Sequence, residues 1–487
     1  MAYPPEIVGL QQKAATLLRA GRKRAAIDAY VALLRAQPAL PESWFNLAWL
    51  QREERQFEEA ASSYAEAVRR GVSKPEEALV NKAAILSAHL GRFEEARSDL
   101  ESALKLAPGY LPALLNLGNI HEDLGDREAA KTSYMSALST SPSNALALAR
   151  LAHLTRIDSP TDPIVDRIHR ALAVPGLTSQ ERSDLGFGLG RLLDSCGAFD
   201  AAFSAYTDAN KAASSAFGRW GVYDRAASEA MIDSVIEATP LPATMSDDTT
   251  YLGAPPIFIC GMFRSGSTLA ETLLGNHPAL RSGGELDILP AAVAREWPDF
   301  PLGDAELTTL RVNTIRDSYL AELGRRFGRH TLITDKRPDN FLYVGLIKAM
   351  FPSARIVNTV RNPCDNALSI FFQPLGPQFG YATNLSDISH WYGQYRRLSS
   401  HWRELFGTSY HDFDYDGLVA EPAQQVGALL DFLDLPFDER CLAPNGANRA
   451  VQTGSVWQVR RPLYQESSGR WRNYARHLMA VSADLGC

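Results

Sequence analysis

The stretch Pro255–Pro278, PPIFICGMFRSGSTLAETLLGNHP, decides the second half of the chain. Pro256–Cys260 is a short apolar run, which reads as a buried strand. Gly261–Ser267 is a loop of small residues, and Thr268–Gly275 has helical spacing. A strand, a glycine-rich loop and a helix in that order aim backbone N–H groups and a helix N-terminus at an anion. The loop fits G-x-x-x-x-G-x-T through Gly261, Gly266 and Thr268, but Ser267 stands where a Walker loop has its lysine. Its cation lies three residues earlier, at Arg264. A loop with that charge suits an anion that needs less compensation than a triphosphate with magnesium.

A second element lies 100 residues on, in ARIVNTVRNPCDNALSIFF, Ala354–Phe372. Arg355–Val360 reads as a strand; Arg361, Asn362 and Pro363 follow it, then a helix that includes Ser369. An arginine at the strand end and a serine in the next helix can clamp one phosphate from two sides.

Together the two elements resemble the 5′-phosphosulfate loop and the 3′-phosphate motif, R-N-P-x-D-x-x-x-S, of sulfotransferases that use 3′-phosphoadenosine 5′-phosphosulfate (PAPS). The likeness is to the protein-tyrosine sulfotransferase branch and its bacterial tetratricopeptide-fused members, and it covers about residues 253–475. It implies that Arg264, Ser265, Gly266, Ser267 and Thr268 hold the 5′-phosphosulfate, and that Arg361 and Ser369 hold the 3′-phosphate. In RSGGELDILP it places the catalytic base at Glu285; in ITDKRPDNF, a lysine contacting the sulfonate at Lys336. It further implies Tyr415 of FDYDGLVAEP near the nucleotide and Ser455 of SVWQV on the sulfonate side. Arg470 and Trp471 of SGRWRNY match a pair that closes over the nucleotide. One departure touches the acceptor. Asp287 occupies the place of an arginine that binds acidic peptide in the protein-tyrosine enzymes, so an acidic peptide meets repulsion there.

Ahead of this region the sequence repeats. Ala26, Tyr30 and Pro38 open a pattern that returns as Ala60, Tyr64 and Ala67, as Ala96, Leu100, Ala103 and Pro108, and as Ala130, Tyr134, Ala137 and Pro142. A degraded unit starts at Ser143, and a last good one carries Gly190, Ala202, Tyr206 and Ala209. Each unit reads as two antiparallel helices, in which a small residue permits close approach and the Tyr or Leu four positions on fills the space. Proline ends the second helix. The first helix has its own small residue at Ala48, Ala84 and Gly118, each 12 positions before its partner. Over about residues 5–215 this resembles the tetratricopeptide repeat. Such solenoids present a concave surface to a protein segment or pack on a neighbouring domain.

The expected architecture is α followed by α/β. A helical tetratricopeptide solenoid occupies residues 1–238, a linker 239–252, and a P-loop-like three-layer sulfotransferase domain with a parallel sheet 253–487. The chain has 487 residues and a formal charge of −7, which argues against a nucleic-acid binder with a broad basic surface. No apolar run approaches the roughly 18 residues that span a bilayer. The five cysteines form neither a metal-type spacing nor a disulfide framework, and with no signal-peptide core this gives a cytoplasmic expectation. The expected partners are PAPS, a hydroxyl acceptor and a protein or peptide on the repeats; no metal is expected. A P-loop nucleotide or small-molecule kinase, and a scaffold with an inactive transferase domain, are the competing readings.

Overall fold

The computed structural model describes residues 4–238, 254–301, 308–328, 332–443 and 467–487. The chain divides into two compact units between Thr155 and Arg156. The expected linker, residues 239–252, lies outside the described residues.

The first unit is a run of helices: α1 (Pro5–Arg19), α2 (Lys23–Ala36), α3 (Pro41–Glu53), α4 (Phe57–Arg69), α5 (Pro75–Ala88), α6 (Phe93–Leu106), α7 (Leu111–Leu124), α8 (Arg127–Thr140) and α9 (Ala145–Leu154). The repeat register sets their pairing. Ala60, Ala96 and Ala130 are fully buried, as are Tyr64, Leu100 and Tyr134. At Gly118 a Cβ would sit 2.4 Å from the Tyr134 ring, so that crossing tolerates nothing larger than glycine. Pro38, Pro108 and Pro142 each fall two residues beyond the last residue of α2, α6 and α8. Pro41 and Pro75 open α3 and α5, where the missing N–H is no loss. The preceding position keeps the register too, with Leu47, Ala83 and Leu117 all buried. Ala84 is half-buried and lines a cavity of about 490 Å³ with Arg52, Phe57 and His89. Phe57 stacks on His89 across it at 3.8 Å.

The second unit opens with α10 (Pro163–Leu172), α11 (Ser179–Ser195), α12 (Phe199–Phe217) and α13 (Arg225–Glu237). The α11–α12 hairpin keeps the repeat pattern, since a Cβ at Gly190 would lie 2.8 Å from Tyr206. It shares its unit with the sheet and packs on the end of the helix that follows β4, Pro363–Phe371. Tyr206 stacks on Phe372 at 4.0 Å, and Asn210 donates to the carbonyl of Phe371 at 2.8 Å.

The sheet has five strands: β1 (Ile257–Gly261), β2 (Leu280–Ser282), β3 (Leu332–Lys336), β4 (Ile356–Val360) and β5 (Tyr410–Asp414). Their order is β2-β3-β1-β4-β5, and every pairing is parallel. β1 is buried throughout, as a central parallel strand must be. Its alternation sends Ile257 and Ile259 into a core with Leu273, Leu274, Leu429 and Leu430, while Phe258 meets Tyr319 and Phe351 on the opposite face. Helices therefore cover both faces. They include α14 (Ser267–Leu274), α15 (Ile288–Glu296), α16 (Thr309–Phe327), α17 (Val344–Met350), α18 (Pro363–Phe371) and α19 (Leu385–Phe406). β1 has β3 on one side and β4 on the other, so the loops leaving these three strands converge where ligands bind in open α/β sheets.

The cysteines depart from the reading of the sequence. Cys364 and Cys487, 123 residues apart, form a disulfide, which no spacing rule could have paired. Disulfides persist chiefly in oxidising compartments, so the bond bears on the cytoplasmic expectation. Among the described residues no helix is long and apolar enough to cross a membrane.

Candidate functional site

The loop after β1 is shaped by three residues with positive φ: Gly261 (+140°), Arg264 (+68°) and Gly266 (+109°). Gly261 is required by proximity, since a Cβ would lie 2.4 Å from the carbonyl oxygen of Thr359 on β4. Gly266 caps α14, and a Cβ there would lie 2.8 Å from the Tyr415 ring. The Thr359 hydroxyl donates to the carbonyl of Cys260 at 3.0 Å. Its oxygen is therefore left to accept from Ser265 Oγ, 2.6 Å away. The buried Ser265 hydroxyl thus ties the loop to β4. Its N–H turns back to Met262 O, so this serine shapes the loop. Ser267 and Thr268 open α14, where the first N–H groups have no intrahelical acceptor.

The two sequence elements meet at the ends of β1 and β4. Arg264 Nε donates to Ser369 Oγ at 3.1 Å. Arg361 spans the loop and the C-terminal segment, donating to Arg264 O at 3.3 Å and to Ser467 O at 2.6 Å. Its guanidinium lies over the Tyr415 ring at 4.9 Å. Its Nε is buried with no hydrogen-bond partner among the described residues. An unpaired buried guanidinium N–H is costly, and an anionic oxygen is its natural complement.

The third side comes from β3. Lys336 pairs in register with Ile259, two residues before the loop begins. Its ammonium is 1% exposed and donates to Glu285 Oε1 at 2.6 Å, while the Glu285 side chain is 42% exposed. A buried cation and a reachable carboxylate thus stand side by side. Arg337, just past the strand, is clamped by Asp339 through two bonds of 3.0 Å. Asp287 forms an ion pair with Arg326 at 3.1 Å, so the charge expected to repel an acidic peptide is offset.

The remaining sequence candidates divide. Tyr415 joins the loop. Trp471 joins through its backbone, its N–H donating to Asp365 at 2.7 Å. The Arg470 guanidinium is taken by Asp194 of α11, and Tyr474 donates to the same carboxylate at 2.5 Å. Ser455 lies outside the described residues.

Several participants were not singled out from the sequence. Asp365 receives Gly469 N–H at 2.6 Å as well as Trp471 N–H, and burial raises its pKa against those two bonds. Asp416 accepts from Asn362 N–H at 2.7 Å and from Ser468 Oγ at 2.6 Å. Asn366 donates to Phe263 O of the loop at 3.0 Å. Asp365 and Asn366 lie inside or beside the R-N-P-x-D-x-x-x-S pattern, which was the one available signal. Their partners are about 100 residues away in each direction, and nothing local names them.

Residues 255–439 match the model of the sulfotransferase family, and residues 12–75, 48–111 and 88–154 match tetratricopeptide-repeat models. An uncharacterised protein of Aquifex aeolicus is 30% identical over 80% of this chain and 52% of its own length. Protein-tyrosine sulfotransferase A of Caenorhabditis elegans is 25% identical over 42% of this chain and 56% of its own. The chain thus spans about half the length of these relatives. Among solved structures, the sulfotransferase domain from the Synechococcus PCC 7002 olefin synthase is similar at 23% identity. That match covers 47% of this chain and 90% of the other, with a TM-score of 0.36.

Proposed function

We propose that this chain, a tetratricopeptide-repeat protein of the sulfotransferase family, moves a sulfuryl group from PAPS to an acceptor hydroxyl by in-line transfer. The observation that carries the reading is the meeting of Arg264, Ser369 and Arg361 at the ends of β1 and β4, with a buried Arg361 Nε that has no partner among the described residues, beside the Lys336–Glu285 pair.

The residues present fit such a donor. The loop 261–266 and the start of α14 suit a 5′-phosphosulfate, as backbone N–H groups and a helix N-terminus suit any compact anion. Arg361 and Ser369 suit the 3′-phosphate, and the Tyr415 ring offers a flat face beside them. The donor, when bound, supplies the sulfuryl group and a bisphosphate leaving group; the rest falls to the chain. Glu285 takes the acceptor proton, general-base work worth roughly 10²–10⁴-fold. Lys336 and Arg264, with Ser455 by resemblance, carry the charge that grows on the sulfonate and leaving oxygens. For Lys336 this requires its ammonium to turn from Glu285 toward the sulfonate. Orientation supplies most of the remainder, as in phosphoryl transfer. The repeats of residues 12–154 recruit a protein or peptide, which brings its hydroxyl to the transferase domain.

The test is transfer of labelled sulfate from PAPS to a fractionated host extract. A labelled species that requires the intact chain supports the reading. Absence of any transfer, with ATP and magnesium turned over instead, overturns it.

A further inference from the structure

Glu271 lies on α14, one turn beyond Ser267, and is 7% exposed. Its Oε1 accepts two hydrogen bonds, from Gly284 N–H at 2.9 Å and from Thr334 Oγ1 at 2.7 Å. Both donors belong to the wall that carries the candidate base. Gly283 N–H donates to Thr334 O at 3.0 Å, and Lys336 N–H donates to Gly284 O at 3.0 Å. The turn is thereby held to β3 from both sides. It has no room to slide, because a Cβ on Gly283 would lie 2.3 Å from Thr334 O. Gly284 adopts φ +76°, and Glu285 follows at once, its carboxylate against Lys336.

From this geometry we infer that Glu271 is a positioning residue for Glu285. Its carboxylate fixes the Gly283–Gly284 turn and so sets where the base stands relative to the donor loop. The inference rests on the roles given above to Glu285 and Lys336. One short helix then does two things: its first residues finish the anion loop, and its next turn holds the loop that bears the base. Donor and base are registered to one another through α14 rather than through the sheet alone.

Capping a turn does not by itself call for a carboxylate. Burial raises the pKa of Glu271, the expected sign for a carboxyl removed from water, and the nearby Lys336 opposes that shift. Lys336 is itself almost fully buried, and Glu285 is its direct counter-charge. When Glu285 becomes neutral on taking a proton, a second carboxylate beside the same lysine keeps the ammonium from being buried without compensation.

The test uses the full chain in five forms: wild type, Glu271→Gln, Glu271→Ala, Glu285→Gln, and Glu271→Ala combined with Glu285→Gln. Three quantities are read: hydrogen exchange at the Gly284 amide, affinity for adenosine 3′,5′-bisphosphate, and labelled transfer from PAPS to the extract fraction that the wild type labels. Glu271→Ala should speed Gly284 exchange at least about tenfold and cut transfer by roughly 10²-fold, the scale of a misplaced catalytic group. Bisphosphate affinity should stay within about twofold. Glu271→Gln keeps the acceptor oxygen and should restore Gly284 protection, while transfer stays below the wild-type rate because the charge beside Lys336 is lost. The double variant should transfer no more slowly than Glu285→Gln alone, because residues acting as a unit are not additive. Unchanged Gly284 exchange in Glu271→Ala, or additive losses in the double variant, overturns the inference. If Glu285→Gln by itself transfers normally, the assignment of the base has failed instead, and the Gly284 exchange still decides whether Glu271 holds the turn.

Discussion

Replacing Asp365 by alanine removes both anchors that dock residues 469–471 on the start of α18. The carboxylate receives Gly469 N–H at 2.6 Å and Trp471 N–H at 2.7 Å, and the residue is 2% exposed. Hydrogen bonds to a charged group are worth roughly 1.5–3 kcal/mol each, and part of that is spent on desolvating the carboxylate. Two neighbouring contacts survive the change, Arg361 to Ser467 O and Ser468 to Asp416. The segment should therefore loosen rather than leave, losing about 2–4 kcal/mol of docking, which is about 30- to 1000-fold in its open population. Asp365→Asn keeps one acceptor oxygen and should fall about midway. Hydrogen exchange at the Gly469 and Trp471 amides measures the opening directly. Affinity for adenosine 3′,5′-bisphosphate, measured by calorimetry, reports whether the segment supports the Arg361 side of the site, and a loss of about tenfold is expected. Unchanged exchange at both amides in Asp365→Ala would refute the reasoning, since the two bonds would then contribute nothing to docking.

Three other outcomes follow from the structure. Gly266→Ala forces a side chain into φ +109° and against the Tyr415 ring, at a cost of about 1–3 kcal/mol, so melting temperature and bisphosphate affinity should both fall. Asp335 is buried and its pKa is pushed up to about 7 by desolvation. The native state then holds a proton that the unfolded chain releases near pH 4, so stability should fall as pH rises from about 4 to 7 by at most about 1.4 kcal/mol per unit. Asp335→Asn should flatten that part of the profile, and an unaltered slope contradicts the assignment. The Cys364–Cys487 bond should appear as a linked peptide in a digest of chain alkylated at isolation. Cys487→Ser should lower stability by about 2–4 kcal/mol. Two free, alkylated thiols would remove the bond and leave a reducing compartment as the simpler reading.

Much of this was legible because it is local. A register of 34 to 36 residues through Ala60, Ala96 and Ala130 fixes helix pairing without knowledge of the rest, and the buried Tyr64 and Tyr134 follow from it. The strand, loop and helix around Gly261–Gly266 and around Arg361 were legible for the same reason, each lying in one short run. What escaped depends on distant segments meeting. Asp194 reaches Arg470 across 276 positions, and Asp365 reaches Gly469 across 104. Glu271 reads as an ordinary polar residue on a helix until Gly284 is brought to it. The bond between Ser265 Oγ and Thr359 likewise joins residues 94 positions apart.

The central claim is that the site accepts a 3′,5′-bisphosphate rather than a triphosphate. Thermal unfolding with adenosine 3′,5′-bisphosphate, with ATP and magnesium, and with neither tests it most directly. The account predicts that the bisphosphate stabilises the chain by about 2.7 kcal/mol at 100 times its dissociation constant. ATP should do little, and Arg361→Ala should abolish the bisphosphate effect. Equal or greater stabilisation by ATP and magnesium, or a bisphosphate effect indifferent to Arg361, would contradict it.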